Sequence, residues 1–105
     1  MIATLEVEEV AEARVIDALR KLGFTIVQPG ARSTGAKVIE AWKARQRVVV
    51  HVNTTVSPAA PRSLTLEEEQ ALRRRATKTG GHAWEVRVLL GSDLELVQLE
   101  WRPLE

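Results

Sequence analysis

Arg47-Val48-Val49-Val50-His51-Val52-Asn53-Thr54 is the strongest β-branched run in the chain, and its reading decides the fold. Branched side chains suit a pleated, half-buried surface, so this segment is read as the central strand of a sheet. On its N-terminal side, Lys43 to Gln46 is a turn and Lys37 to Trp42 a second strand. Further back, Phe24-Thr25-Ile26-Val27 alternates apolar and polar residues and forms another strand, ended by Pro29-Gly30. Ala31-Arg32-Ser33-Thr34-Gly35 is a polar loop.

Ahead of these strands, Val7, Val10, Ala11, Val15, Ala18, Leu19 and Leu22 recur at three- and four-residue steps. They line one side of a helix, with Glu6, Glu9, Asp17 and Arg20 on the wet side. Its acids come early and Arg20-Lys21 late, matching the helix macrodipole. Gly23 supplies a left-handed stop, with Phe24 placed to pack back on the last turn.

Past the valine strand, Ser57-Pro58-Ala59-Ala60-Pro61 is a stiff surface loop. Thr65-Leu66-Glu67-Glu68 then fits a capping box, in which the Thr65 hydroxyl and the Glu68 carboxylate each accept from the other residue's amide. The helix it opens runs from Leu66 to Lys78 and stops at Gly80-Gly81. Ala83 to Leu90 is a fourth strand, Gly91-Ser92-Asp93 a turn, and Leu94 to Trp101 a fifth strand. The order α-β-β-β-α-β-β, with a helix between strands three and four, predicts an α/β domain with a mixed sheet.

At 105 residues the chain suits one domain, residues 1–105, around one core. Hydrophobic residues make up 45% and charged ones 28%, which excludes a disordered chain. A formal charge of +1 does not by itself point to nucleic acid, so any basic surface must come from local clustering. The absence of cysteine excludes disulfides and thiolate metal sites. No apolar stretch approaches the roughly 20 residues needed to span a bilayer. Met1-Ile2-Ala3-Thr4-Leu5-Glu6 lacks the basic and apolar regions of a secretion signal, so the expected location is cytoplasmic. There is no internal repeat, phosphate loop, dinucleotide fingerprint or histidine pair at zinc spacing.

Several stretches resemble the archaeal Holliday junction resolvases, which have a restriction endonuclease-like fold. They are Leu19-Arg20-Lys21-Leu22-Gly23-Phe24, the loop Gly30 to Gly35, Val38-Ile39-Glu40-Ala41-Trp42-Lys43 and the valine strand. Leu64 to Gln70, Gly80-Gly81 and Trp101-Arg102 complete the likeness over nearly the whole chain. The resemblance implies a mixed sheet of about five strands flanked by two main helices. It also implies DNA as partner and a homodimer.

In that family the active site takes an acid from the first helix, an Asp from strand two and a Glu-x-Lys from strand three. Carboxylates there hold a hard cation such as Mg²⁺, which activates water. The corresponding positions here are Glu12, Lys37, His51 and Asn53. His51 and Asn53 share strand parity and so point to one side. Neither is anionic, and a Lys37 ammonium would repel the ion and hold His51 neutral. The expectation is therefore a protein without metal, cofactor or catalytic residues, a degenerate nuclease relative. Mg²⁺ would enter only if a rearranged site used Glu12, Glu40, His51 or Glu85. Glu40 is expected to be plainly surface-exposed.

For binding, Arg32, Ser33, Thr34 and Lys37 are the candidates for a small anion site in the loop, set against an ordinary polar turn. Arg73-Arg74-Arg75 with Lys78 is the densest basic cluster. Successive helix residues turn by about 100°, so these cations cannot make one flat patch. Arg73, Arg74 and Lys78 remain the candidates, set against ion pairing such as Glu69 with Arg73. Trp42, Trp84 and Trp101 are stacking candidates or core anchors. The leading function is binding of branched or duplex DNA. The alternatives are a structural or protein-interaction module and an active nuclease with a rearranged site.

Overall fold

The computed structural model describes residues 4–27, 38–59 and 62–104. Its elements are α1 (Thr4–Lys21), β1 (Thr25–Ile26), β2 (Val38–Lys43), β3 (Gln46–Val56), α2 (Leu66–Thr79), β4 (His82–Leu90) and β5 (Leu96–Pro103). The predicted order α-β-β-β-α-β-β holds. The five strands form one sheet in the order β1-β2-β3-β4-β5, with β3 and β4 parallel and the other neighbours antiparallel. The valine run lies at the centre, as β-branched packing requires.

Strand alternation sorts the core into two layers. Val48, Val50 and Val52 with Val86, Val88 and Leu90 meet Ala11, Val15 and Leu19 of α1. Val49 and Ala83 face the other way, toward Leu72 and Ala76 of α2, with Leu64 and Leu104 closing the layer. Phe24, Trp84 and Trp101 stack edge to face with ring centroids 5.9 Å apart in each pair. Two of the three tryptophans are therefore core anchors.

Both helices stop where glycine permits a left-handed residue, Gly23 at φ 95° and Gly80 at φ 73°. Phe24 N–H donates to the Leu19 carbonyl at 3.0 Å, tying β1 to the last turn of α1. The capping box of α2 is complete: Glu68 N–H donates to the Thr65 hydroxyl at 3.1 Å, and Thr65 N–H to the Glu68 carboxylate at 2.9 Å. Thr65→Ala should lower stability by about 1 kcal/mol in urea melts, with the m-value unchanged.

Several boundaries differ from the sequence reading, β3 running on to Val56 and β5 to Pro103, and two of the shifts have a local cause. The first strand is only Thr25–Ile26, because Phe24 is buried beneath the sheet edge and belongs to the helix stop. The fifth begins at Leu96 rather than Leu94, since Leu94 has φ 63° and donates its N–H to the Gly91 carbonyl. No helix among the described residues is long and apolar enough to cross a membrane.

Candidate functional site

His51 and Asn53 lie on the α2 side of β3, the parity opposite to Val50 and Val52. Register sets His51 beside Glu85 and Asn53 beside Arg87 on β4, and Glu85 beside Arg102 on β5. Glu85 is the centre of this array and is fully buried, at 0% exposure. A carboxylate in that position must be paired and hydrogen-bonded, or it would lose its charge. Arg102 Nε donates to Glu85 Oε1 at 2.7 Å and Asn53 Nδ2 to Oε2 at 2.9 Å. Arg87 Nε lies 3.3 Å from Oε1. Asn53 Nδ2 also donates to the Arg62 carbonyl, fastening the loop before α2 to the sheet.

The array continues outward through Arg102, whose Nη2 donates to Glu69 at 3.0 Å. Arg73 approaches Glu69 at 3.8 Å and donates its Nε to the Leu104 carbonyl at 3.0 Å. Burial pushes the Glu85 carboxyl up, but the hydrogen bonds from Asn53 and Arg102 and the charges of Arg102 and Arg87 together hold it below the usual range. Arg102 is held above its usual value, by the hydrogen bond to Glu85 first and that to Glu69 second.

Beside this array opens a cleft of about 200 Å³ lined by Val7, Glu8, His51, Val52, Asn53, Thr54 and Arg62. The acid that α1 brings to it is Glu8, not Glu12, which lies one turn further along and outside the lining. Burial first, and Glu9 second, raise the Glu12 carboxyl above its usual value. Glu68 stands on the same side, held low by the Thr65 backbone hydrogen bond against its own desolvation, with smaller help from the Thr65 hydroxyl and the charges of Arg62 and His51.

The other expected residues are spread out. Arg32, Ser33, Thr34 and Lys37 lie outside the described residues. Glu40 is not plainly exposed, because it accepts from Arg75 Nη2 at 2.8 Å and Nε at 3.2 Å, with Arg47 3.9 Å away. Arg73 is engaged with Glu69 and Leu104, whereas Arg74 and Lys78 are exposed.

At Glu85 and Asn53 the donors do not suit a divalent cation. Mg²⁺ asks for near-octahedral oxygen ligands. Here both oxygens of Glu85 are occupied by protein donors, and Asn53 turns its amino group, not its carbonyl, toward the carboxylate. Among the described residues no three His, Asp or Glu side chains are grouped to hold a metal ion. Sequence reasoning named Glu85 as one possible acid but missed its partners Arg102, Arg87 and Glu69. An acid and an arginine two residues apart inside the apolar strand Ala83 to Leu90 were the signal.

No family model matches the chain, and no curated protein matches it. Among solved structures it is similar to Hjc, a Holliday junction resolvase from the archaeal hyperthermophile Archaeoglobus fulgidus. The likeness has a TM-score of 0.65 at 20% identity and covers 90% of this chain and 70% of that one. At that identity it is the path of the backbone that is alike. The chain thus has the fold of an archaeal Holliday junction resolvase.

Proposed function

We propose that this chain binds nucleic acid, branched or duplex DNA, on a resolvase fold that no longer performs metal-dependent cleavage. One observation carries the loss of cleavage: the Glu85 carboxylate, beside His51 in register, is hydrogen-bonded by Arg102 and Asn53 and ion-paired with Arg87. A guanidinium supplies the positive charge that Glu85 needs, so a metal ion would have to displace a buried ion pair. Binding is supported by the fold it shares with a DNA-junction enzyme and by the cations of the loop and of α2. Phosphate contacts of that kind give little sequence preference and strong salt dependence.

The test is a labelled four-way junction with a matched duplex, at two salt concentrations, with and without Mg²⁺ or Mn²⁺. The expected result is a shifted band that fades with salt and intact DNA after long incubation. Arg32→Ala with Lys37→Ala should lower the affinity without moving the melting temperature. Cleaved product would restore the reading of a rearranged nuclease.

A second reading has its own support. β5 is an open edge of the sheet, and its Leu96 and Val97 are 39% and 56% exposed. An edge strand with exposed apolar residues invites strand pairing, which suits a homodimer or a protein-interaction module. No DNA shift at low salt, together with a dimer in light scattering, would favour this second reading.

A further inference from the structure

Charge in this chain is segregated by topology. In α1, Glu6, Glu8, Glu9 and Glu12 occupy the first half and Arg20 and Lys21 the last turn. In α2, Glu67, Glu68 and Glu69 precede Arg73, Arg74, Arg75 and Lys78. Each arrangement complements its own helix dipole. The fold then adds the two together. β1 and β4 both run parallel to β3, and each is entered directly from the C-terminus of a helix, so α1 and α2 end at the same pole. The β2–β3 turn lies at that pole too and contributes Lys43, Arg45 and Arg47. Asp93 and Glu95, between β4 and β5, lie at the opposite pole with the acidic helix starts. A chain of formal charge +1 therefore has one basic and one acidic end.

Several cations of the basic pole are already engaged. Arg47 and Arg75 share Glu40, Lys21 pairs with Asp17, and Lys43 donates to the Leu22 carbonyl. Arg45, Arg74 and Lys78 are exposed and make no ion pair among the described residues. Trp42 lies on the same hairpin, three residues before Arg45, and is 42% exposed, while Trp84 and Trp101 are held in the ring stack. Trp42 is on the α2 side of β2, next to Arg47 in register, where α2 covers β3 and β4 instead. An exposed indole at the pole that also carries these unpaired cations offers a face for a base and charge for its phosphates. Bases inside a duplex cannot reach such a face, but unpaired ones can.

We infer that this hairpin pole, with Trp42 as platform and Arg45, Arg74 and Lys78 as phosphate contacts, binds single-stranded nucleic acid or the unpaired bases of a branched one. The inference rests on the proposed nucleic-acid function and adds to it a surface at the hairpin pole.

The test measures fluorescence anisotropy of a labelled thymidine 20-mer and a matched duplex at low salt, with junction binding followed in parallel. Trp42→Ala should weaken the single strand about tenfold and the duplex little. Trp42→Phe should recover most of that loss. Arg45→Glu with Lys78→Glu should weaken the single strand more than tenfold and flatten its salt dependence. Unchanged 20-mer affinity in Trp42→Ala overturns the inference. Equal competition by polyglutamate overturns it too, and would indicate an acidic protein partner. If the junction binds and weakens in the Arg32→Ala, Lys37→Ala variant while Trp42→Ala holds the 20-mer as the parent does, nucleic-acid function stands and this surface falls. Absence of binding to any of the three DNAs ends both.

Discussion

Glu85→Ala should lower the stability of the domain by about 3–5 kcal/mol, because it opens a cavity at a fully buried side chain and leaves the buried Asn53 amide and the half-buried Arg102 and Arg87 without their common acceptor. Small domains have only about 5–15 kcal/mol in all, and each kcal/mol moves the melting temperature by roughly 4–8 °C. A drop of more than about 12 °C in a calorimetric scan is therefore expected. Glu85→Gln keeps the shape and one acceptor, so it should lose less. The direction of the effect separates two roles. Carboxylates kept for chemistry are held at a cost, and their removal leaves a protein as stable or more so. A melt unmoved by Glu85→Ala would mean that the carboxylate is not the structural centre of the sheet.

The same group sets an acid dependence. Folding lowers the Glu85 carboxyl below its unfolded value, so as pH falls the unfolded chain takes up the proton first. The contribution of Glu85 is complete above the ordinary carboxylate range. It is lost as pH falls through that range toward the lower folded value. Stability against pH should fall less steeply on the acid side in Glu85→Gln than in the parent, which urea melts at stepped pH can measure.

Much of this fold was legible because it is written in local signals. Gly23 and Gly80, the Thr65–Glu68 box and the valine run each act within a few residues, and each stands where expected. The parity of His51 and Asn53 was equally readable, since alternation on a strand needs no knowledge of its neighbours. What joins the strands was not. Glu85, Arg102 and Glu69 meet only through the β3–β4–β5 register and the seating of α2, and no spacing along the chain encodes that. Glu12 and Glu8 differ by one turn of one helix, so only the contact of α1 with β3 decides which acid meets the cleft. Helix polarity was visible in each helix separately, but its sum required knowing that both end at the same pole.

Leu19→Ala should cost about 2–5 kcal/mol, comparable to losing Glu85. Leu19 is fully buried and, with Ala11 and Val15, forms the inward stripe of α1. Most of a helix's stability in a protein comes from packing its apolar face, so α1 persists because that stripe is covered by the sheet. Ala11 is small and Val15 only moderate, which leaves Leu19 as the largest side chain holding the C-terminal end of α1 down. Its backbone carbonyl also receives the Phe24 and Leu22 amides, so a shift there disturbs the entry to β1. The cavity term adds to the lost transfer energy wherever the surroundings cannot collapse, and the rigid ring stack of Phe24, Trp84 and Trp101 belongs to the same core layer. Yet Leu19 touches neither the cleft nor the hairpin cations. Well below its melting point, Leu19→Ala should therefore bind nucleic acid as the parent does, whereas Trp42→Ala should melt as the parent does and bind less. That reversal between two apolar substitutions, one on α1 and one on β2, separates what holds the domain together from what it presents to a partner.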